Sequence, residues 1–309
     1  MSARSIDYAP FVQPATPGEA IRALLTAVIL GQPLTLFDAD CSVAERESLG
    51  GTAALLAEQI RLKGCSWSDP VAMRSEVRQH SGFTLTLFTS GTTGLPKRVT
   101  HDLEGLTRML KVNDSHAGNV WGLAYNPTHI AGVQVILQAF FNGNPLVGLF
   151  GASRSTILSA VSDHGITHLS ATPSFFRLLL PITDPLQGVR SVTLGGESSN
   201  AELVERLHQA FPVARVHNIY ASTEVGSLLM SDGDVFSIPA ELRNRIKIHD
   251  NRLVIHRSLL GEFGEKQKAE SRKESATDSE TVMMTDGGEA CEKVECGRSK
   301  FRVSDFNSQ

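Results

Sequence analysis

Between residues 18 and 256 the chain alternates short apolar, β-branched runs with longer helix-friendly stretches, and this alternation limits its fold more tightly than any other feature. Residues 34–37, 83–89, 120–124, 146–149, 168–171, 191–194 and 213–219 read as strands. Residues 20–30, 51–62, 131–141, 155–163, 173–180 and 201–210 read as helices. Parallel strands need crossover connections, and a helix is the usual one. The pattern therefore predicts an α/β fold, with mostly parallel sheets covered by helices. Residues 245–249 and 252–256 flank Asp250-Asn251, the composition of a two-residue turn, so a short β-hairpin closes this region. Nothing repeats at a fixed period, which excludes a solenoid.

Composition narrows the function classes. With 309 residues and 41% hydrophobic residues the chain can bury a substantial core, as two domains or one large one. A formal net charge of -4 supplies no basic field for nucleic acid. No run of about 18 apolar residues is present, so no membrane span is expected. The start, MSARSIDYAP, lacks the apolar centre of a secretory signal, which predicts a cytoplasmic protein. The four cysteines are too few for a disulfide scaffold, and Cys291 and Cys296 are spaced unlike structural zinc pairs. After Gly261 the composition changes to EKQKAESRKESATDSE, almost without apolar residues. Residues 1–261 are therefore expected to form the folded domain, and residues 262–309 a poorly ordered, flexible C-terminal tail.

The stretch from Phe88 to Lys97, FTSGTTGLPK, follows a predicted strand. Gly91 and Gly94 let the backbone approach a ligand closely, so that successive N–H groups can face one anion. Thr89, Ser90, Thr92 and Thr93 add hydroxyl donors without bulk, and Lys97 adds a mobile positive charge. A polyphosphate suits this set better than a plain turn does. The spacing differs from the G-x-x-x-x-G-K-[ST] loop, because Lys97 lies three residues after Gly94 and Arg98 follows it.

Residue for residue, TSGTTGLPK resembles the phosphate-binding signature of the adenylate-forming superfamily: acyl- and aryl-CoA synthetases, luciferases and the adenylation domains of peptide synthetases. The resemblance implies that Thr89, Ser90, Gly91, Thr92, Thr93, Gly94 and Lys97 hold the β- and γ-phosphates of ATP. Further along, Asn218-Ile219-Tyr220-Ala221-Ser222-Thr223-Glu224 is similar to the family's Y-G-x-T-E segment, with Ala221 where the family has glycine. A tyrosine face can stack on adenine, a threonine hydroxyl can donate to the α-phosphate, and a carboxylate can hold Mg²⁺. By resemblance Asn218, Tyr220, Ala221, Ser222 and Thr223 line the AMP site and Glu224 is the metal ligand. Taken without the first loop, Glu224 reads equally as a surface glutamate at a strand end.

Gly195-Gly196-Glu197 stands where the family passes backbone along the adenine edge. The competing hydrolase elbow, G-x-S-x-G, fails because Asn200 replaces its last glycine. Thr172 ends a segment similar to the family's strand before a helix bearing acyl-pocket residues. Pro127-Thr128-His129-Ile130-Ala131-Gly132 resembles the P-x-x-H-x-x-G segment of acyl- and aryl-CoA ligases, which puts His129 and Gly132 at a carboxylate pocket. Amino-acid-activating relatives usually carry an aspartate there; this stretch has no acid, which disfavours an α-amino acid. A helix-start histidine satisfied by a backbone carbonyl is the other reading of His129. His164 and His168 lack the glutamate of H-E-x-x-H and are not expected to bind metal. Trp121 and Tyr125 read as core aromatics, since no basic cluster accompanies them.

The likeness runs from about Ala20 to His256. The family's ribose-binding strand and lysine-bearing lid domain have no clear counterpart, so the expectation is a large domain without its lid. ATP and Mg²⁺ are the implied cofactors, with a small carboxylic acid as substrate. Coenzyme A or a carrier protein is the candidate thiol acceptor. The implied activity is conversion of an acid to its acyl-adenylate; the alternative is a truncated homologue that binds nucleotide or acyl ligand with little turnover.

Overall fold

The computed structural model describes residues 5–49, 58–61, 70–79, 82–89, 97–232, 235–249, 252–263, 281–284 and 300–302. Two sheets dominate these residues. The first has five strands in the order Glu262–Phe263, Lys97–Asp102, Thr84–Thr89, Leu34–Leu36, Phe11–Val12. Its last three neighbours are parallel, while Thr84–Thr89 and Lys97–Asp102 pair antiparallel. The second has six strands: Gly226–Ser231, Arg215–Ser222, Ser191–Gly195, His168–Ala171, Trp121–Leu123 and Leu146–Gly148. Five of these are parallel and Gly226–Ser231 alone is antiparallel. The α/β architecture, with parallel-rich sheets under helices, is the one the alternating pattern predicts.

Local signals set the helix ends. In Pro17–Leu30 the Thr16 hydroxyl accepts from the Glu19 N–H, proline opens the first turn, and Gly31 stops the helix with φ 63°. Ile130–Asn142 carries apolar residues on every side, and ten of its residues are buried. Val133, Ile136 and Leu137 share a core with Leu24, Leu34, Leu85 and Leu87 of the five-stranded sheet region. The far face of the six-stranded sheet places Leu169, Val192, Leu194 and Val216 against the helices Arg154–Asp163, Pro173–Leu179 and Ala201–Ala210. Each such fully buried aliphatic side chain contributes about 1.5–3 kcal/mol.

One expectation is corrected. Residues 51–62 read as a helix, but Glu58–Arg61 is a strand, antiparallel to Ser5–Tyr8 with Ile6 opposite Ile60. Backbone pairing to a distant segment outweighs the weak local helix preference. The hairpin forms as expected, Ile246–His249 against Arg252–His256, and a third strand, Thr281–Met284, joins it. Within residues 262–309 the structure describes Glu262–Phe263, Thr281–Met284 and Lys300–Arg302, each as a paired strand. Among the described residues no helix is long and apolar enough to cross a membrane.

Candidate functional site

The antiparallel pair Thr84–Thr89 and Lys97–Asp102 ends with Thr89 opposite Lys97. These two residues therefore bracket the glycine- and hydroxyl-rich stretch. Ser90, Gly91, Thr92, Thr93 and Gly94 themselves lie outside the described residues.

The second half of the site sits at the end of Arg215–Ser222, beside Gly195 through the register Gly195–Ile219. Asn218 is buried and accepts from the Ser199 hydroxyl at 2.7 Å. Tyr220 meets Phe236 edge-on, with ring centroids 6.2 Å apart. The chain then turns through Thr223 and Glu224. This turn is clamped from both sides: Nε2 of His101 donates to the Thr223 carbonyl at 2.5 Å, and the Gly261 N–H donates to the Glu224 carbonyl at 2.7 Å. His101 is 4% exposed, and burial pushes its pKa below the ordinary imidazole value, so the bond to the carbonyl places the neutral ring's proton on Nε2. His101 was not singled out by the sequence, because a lone histidine on a strand carries no signal of a partner 122 residues away.

Glu224 is 6% exposed, and its carboxylate has no ion pair or hydrogen bond to another described residue. The Ser222 hydroxyl beside it is buried with no partner among the described residues. A buried carboxylate without a counter-charge is costly unless a cation completes it. One carboxylate plus ligand phosphates is a usual magnesium arrangement, so these residues fit that ion. Among the described residues no group of three or more acidic, histidine or cysteine side chains offers a metal cage.

Gly196, at φ 81°, follows the strand Ser191–Gly195. Glu197 turns back: its carboxylate accepts from the Ser174 N–H at 3.0 Å and the Ser174 hydroxyl at 2.5 Å. Thr172 caps the same helix, Pro173–Leu179, by accepting from the Phe175 N–H at 3.1 Å.

A cavity of about 250 Å³ runs from Gly195, Gly196 and Ala221 along the six-stranded sheet beneath the helix Ile130–Asn142. Ile130 and Ala131 form part of its wall, whereas His129, Gly132 and Thr172 are not among its lining residues. Trp121 and Tyr125 also line it, the Tyr125 hydroxyl donating to the Gly195 carbonyl at 3.3 Å. Gln134 holds the roof in place. Its amide donates to the Leu106 carbonyl and its oxygen accepts from both the N–H and hydroxyl of Ser227.

His129 is the N-cap of that helix without a side-chain cap bond. Its Nε2 lies 2.5 Å from Asp38, a residue from the loop after Leu34–Leu36. Asp38 also accepts from Asn126 and Thr128, each at 2.8 Å. The hydrogen bond to His129 leads the causes that hold the Asp38 carboxyl far below its usual range, and the same bond raises His129. A cation at a helix N-terminus opposes the helix dipole, and Asp38 offsets that. The acid missing from the local sequence is thus supplied by a distant segment, but it is engaged by the histidine.

This pair sets a pH window. The Asp38 contribution is present above its ordinary value of about 4 and is lost as pH falls through its lowered one. The His129 contribution is full below about 6.5 and is lost as pH rises through its raised one. Asp38→Asn should therefore destabilise the protein most between about pH 4 and 6.5. The cost should be about 1 kcal/mol, since the imidazole side chain is 57% exposed. Urea unfolding of both proteins near pH 5 and near pH 9 reads this; an equal difference at both values contradicts it.

Three similar proteins bear on this geometry. Tyrocidine synthase 3 of Brevibacillus parabrevis is 29% identical over 164 residues, 47% of this chain and 2% of that protein. A 2-succinylbenzoate–CoA ligase of Bacillus velezensis is 28% identical over 159 residues, 49% of this chain and 32% of the ligase. The matched segment thus spans about a third of that ligase's length. In fold the chain is similar to o-succinylbenzoate coenzyme A synthetase of Bacillus subtilis, solved with ATP and magnesium ion. That likeness has a TM-score of 0.61 at 16% identity and covers 89% of this chain and 65% of the synthetase. Residues 28–253 match the model of the AMP-binding enzyme family, spanning both bracketing strands, the cavity and the Glu224 turn, and the chain belongs to that family.

Proposed function

We propose that this protein activates a carboxylic acid with ATP, forming an acyl-adenylate and releasing pyrophosphate. One observation carries the reading: Glu224, a buried glutamate with no ion pair among the described residues, stands at the same sheet end as a cavity sized for a small organic acid. The solved synthetase with ATP and magnesium ion supports placing both in this fold. An acid carboxylate oxygen would attack the α-phosphorus, forming the new P–O bond as the bond to pyrophosphate breaks. Thr223 would donate to the α-phosphate, Tyr220 would lie against adenine, and Gly195-Gly196 would pass along its edge. Lys97, Thr89 and the stretch between them would bind the β- and γ-phosphates. Bound at Glu224, magnesium would neutralise phosphate charge during the displacement. Release of the acyl group to a thiol, coenzyme A or a carrier protein, would follow in the complete reaction.

The substrate is read as an acid other than an α-amino acid. No carboxylate lines the cavity among the described residues, and Asp38 beside it is engaged by His129. An ammonium group entering there would lose its water without gaining a counter-charge. Similarity to a peptide synthetase keeps the amino-acid reading as the competitor. Acid-dependent exchange of labelled pyrophosphate into ATP tests the choice, using a panel of small carboxylic acids and the corresponding α-amino acids. Exchange is expected with the former alone; exchange supported only by amino acids would reverse the assignment.

A further inference from the structure

Two hydrogen bonds outside its own side chain set the direction of Glu224. The Thr223 carbonyl belongs to the peptide before Glu224, and the Glu224 carbonyl to the peptide after it. Each peptide is a rigid plane, so holding both fixes φ and ψ at Glu224 and with them the direction of its Cβ. His101 holds the first plane, its Nε2 lying 2.5 Å from the Thr223 carbonyl oxygen, and the Gly261 N–H holds the second at 2.7 Å. A carbonyl only accepts, so Nε2 of His101 carries the proton.

The two holds are packed on each other. A Cβ at Gly261 would stand 2.7 Å from Cε1 and 2.9 Å from Nε2 of His101, and 2.7 Å from Cγ1 of Val99. Gly261 therefore runs directly against the imidazole edge that makes the Thr223 bond. The same segment continues into Glu262–Phe263, paired antiparallel with Thr100 and Val99. Just before it, Arg108 donates to the Leu259 carbonyl at 3.3 Å. Packing alone would favour an aliphatic side chain at position 101, which shares its strand face with buried Val99, lies opposite buried Leu85 and is 4% exposed. Burying an imidazole there costs desolvation, which the bond to Thr223 offsets. Lys97 opens the same strand four residues earlier, about 13 Å away. One strand thus bounds the phosphate stretch at one end and supports the Glu224 turn at the other.

We propose that His101 is a positioning residue for magnesium, holding the Thr223–Glu224 turn so that the carboxylate is aimed before the ion arrives. It touches neither ion nor nucleotide and acts through the Thr223 carbonyl, with Gly261 as the other half of the hold. This assignment rests on the reading of Glu224 as the magnesium ligand. Groups that orient a metal ligand typically govern about 10- to 100-fold of metal affinity. Here the link runs through backbone and Gly261 keeps half of it, so the lower end of that range, about 10-fold, is expected.

Calorimetric titration of the full chain with ATP at a series of Mg²⁺ concentrations, and with AMP in the absence of Mg²⁺, tests it. His101→Leu keeps an apolar side chain at the position but removes the donor. It should lower Mg²⁺-dependent ATP affinity about 10-fold and AMP affinity by less than about 3-fold. His101→Gln, whose amide N–H takes the place of Nε2–H, should recover most of the loss. Gly261→Ala approaches from the other side: either the ring or the segment must yield, one carbonyl bond goes with it, and the pattern of His101→Leu should recur. Equal losses in His101→Leu and His101→Gln overturn the proposal, because a merely structural role does not depend on the donor. Equal losses of ATP·Mg²⁺ and AMP affinity overturn it as well. Wild-type ATP binding that ignores Mg²⁺ removes the magnesium reading of Glu224 and this assignment with it. A wild-type Mg²⁺ dependence that survives both His101→Leu and Gly261→Ala removes the positioning role alone.

Discussion

Glu224→Gln should lower magnesium-dependent ATP affinity by about 100-fold while leaving the protein without ligand at least as stable as before. The two halves have one cause. Glu224 is 6% exposed with no ion pair among the described residues, so no folded-state contact there depends on its charge before a metal arrives. Glutamine keeps the shape, but it cannot supply the charge that holds the ion. Removing one partner of a buried charge pair typically costs 2–5 kcal/mol, of which about 2.7 corresponds to the 100-fold loss. Thermal unfolding reads both effects, because a ligand bound only by the native state raises the midpoint in proportion to its occupancy. Wild type should gain several degrees from ATP·Mg²⁺ and the variant almost none. A variant that loses stability on its own yet keeps the ATP-induced gain would mark Glu224 as structural.

Gly132→Ala should be the most damaging single-methyl change in this region. A Cβ at Gly132 would stand 2.1 Å from the Asn126 carbonyl oxygen and 2.9 Å from the Pro127 Cα. Both obstacles are backbone, so no side-chain rotation relieves them. The helix Ile130–Asn142 must shift from the loop that carries His129, and the same helix roofs the cavity and anchors Ser227 through Gln134. Overpacking of this kind costs about 1–3 kcal/mol, and acid binding should fall with it. Gly148, where an added Cβ meets nothing within 4 Å, is the control: Gly148→Ala should change stability by less than about 0.5 kcal/mol. Denaturant midpoints for the two variants decide the matter; equal effects would mean that the close approach at Gly132 is not limiting.

The parts of this molecule written in local pattern were readable from sequence, and the parts made by long-range approach were not. Residues 201–210 and 168–171 coincide with their observed elements because their apolar periodicity matches the face they bury. Residues 58–61 failed because their partner, Ser5–Tyr8, lies 50 or more residues away. Glu224 and the stretch bracketed by Thr89 and Lys97 stood out through motif spacing. Asp38 did not, since only the folded chain brings it to His129 across 91 residues. The cavity was hidden for a different reason. Residues 168–171 and 191–194 read only as strands, and nothing local reveals that a helix covers one of their faces over a cavity.

We propose that the nucleotide site at the Glu224 turn and the cavity behind Gly195 form one continuous acyl-adenylate site. The affinity of a non-hydrolysable, sulfamate-linked acyl-adenosine, compared with that of AMP, measures this most directly. Analogues of a reaction intermediate bind upward of about 100-fold more tightly than substrates when both halves are held at once. A gain of that size, lost in the cavity-filling variant Ser170→Phe, is the predicted result. An acyl-adenosine that binds no better than AMP, or whose gain is untouched by Ser170→Phe, would contradict it.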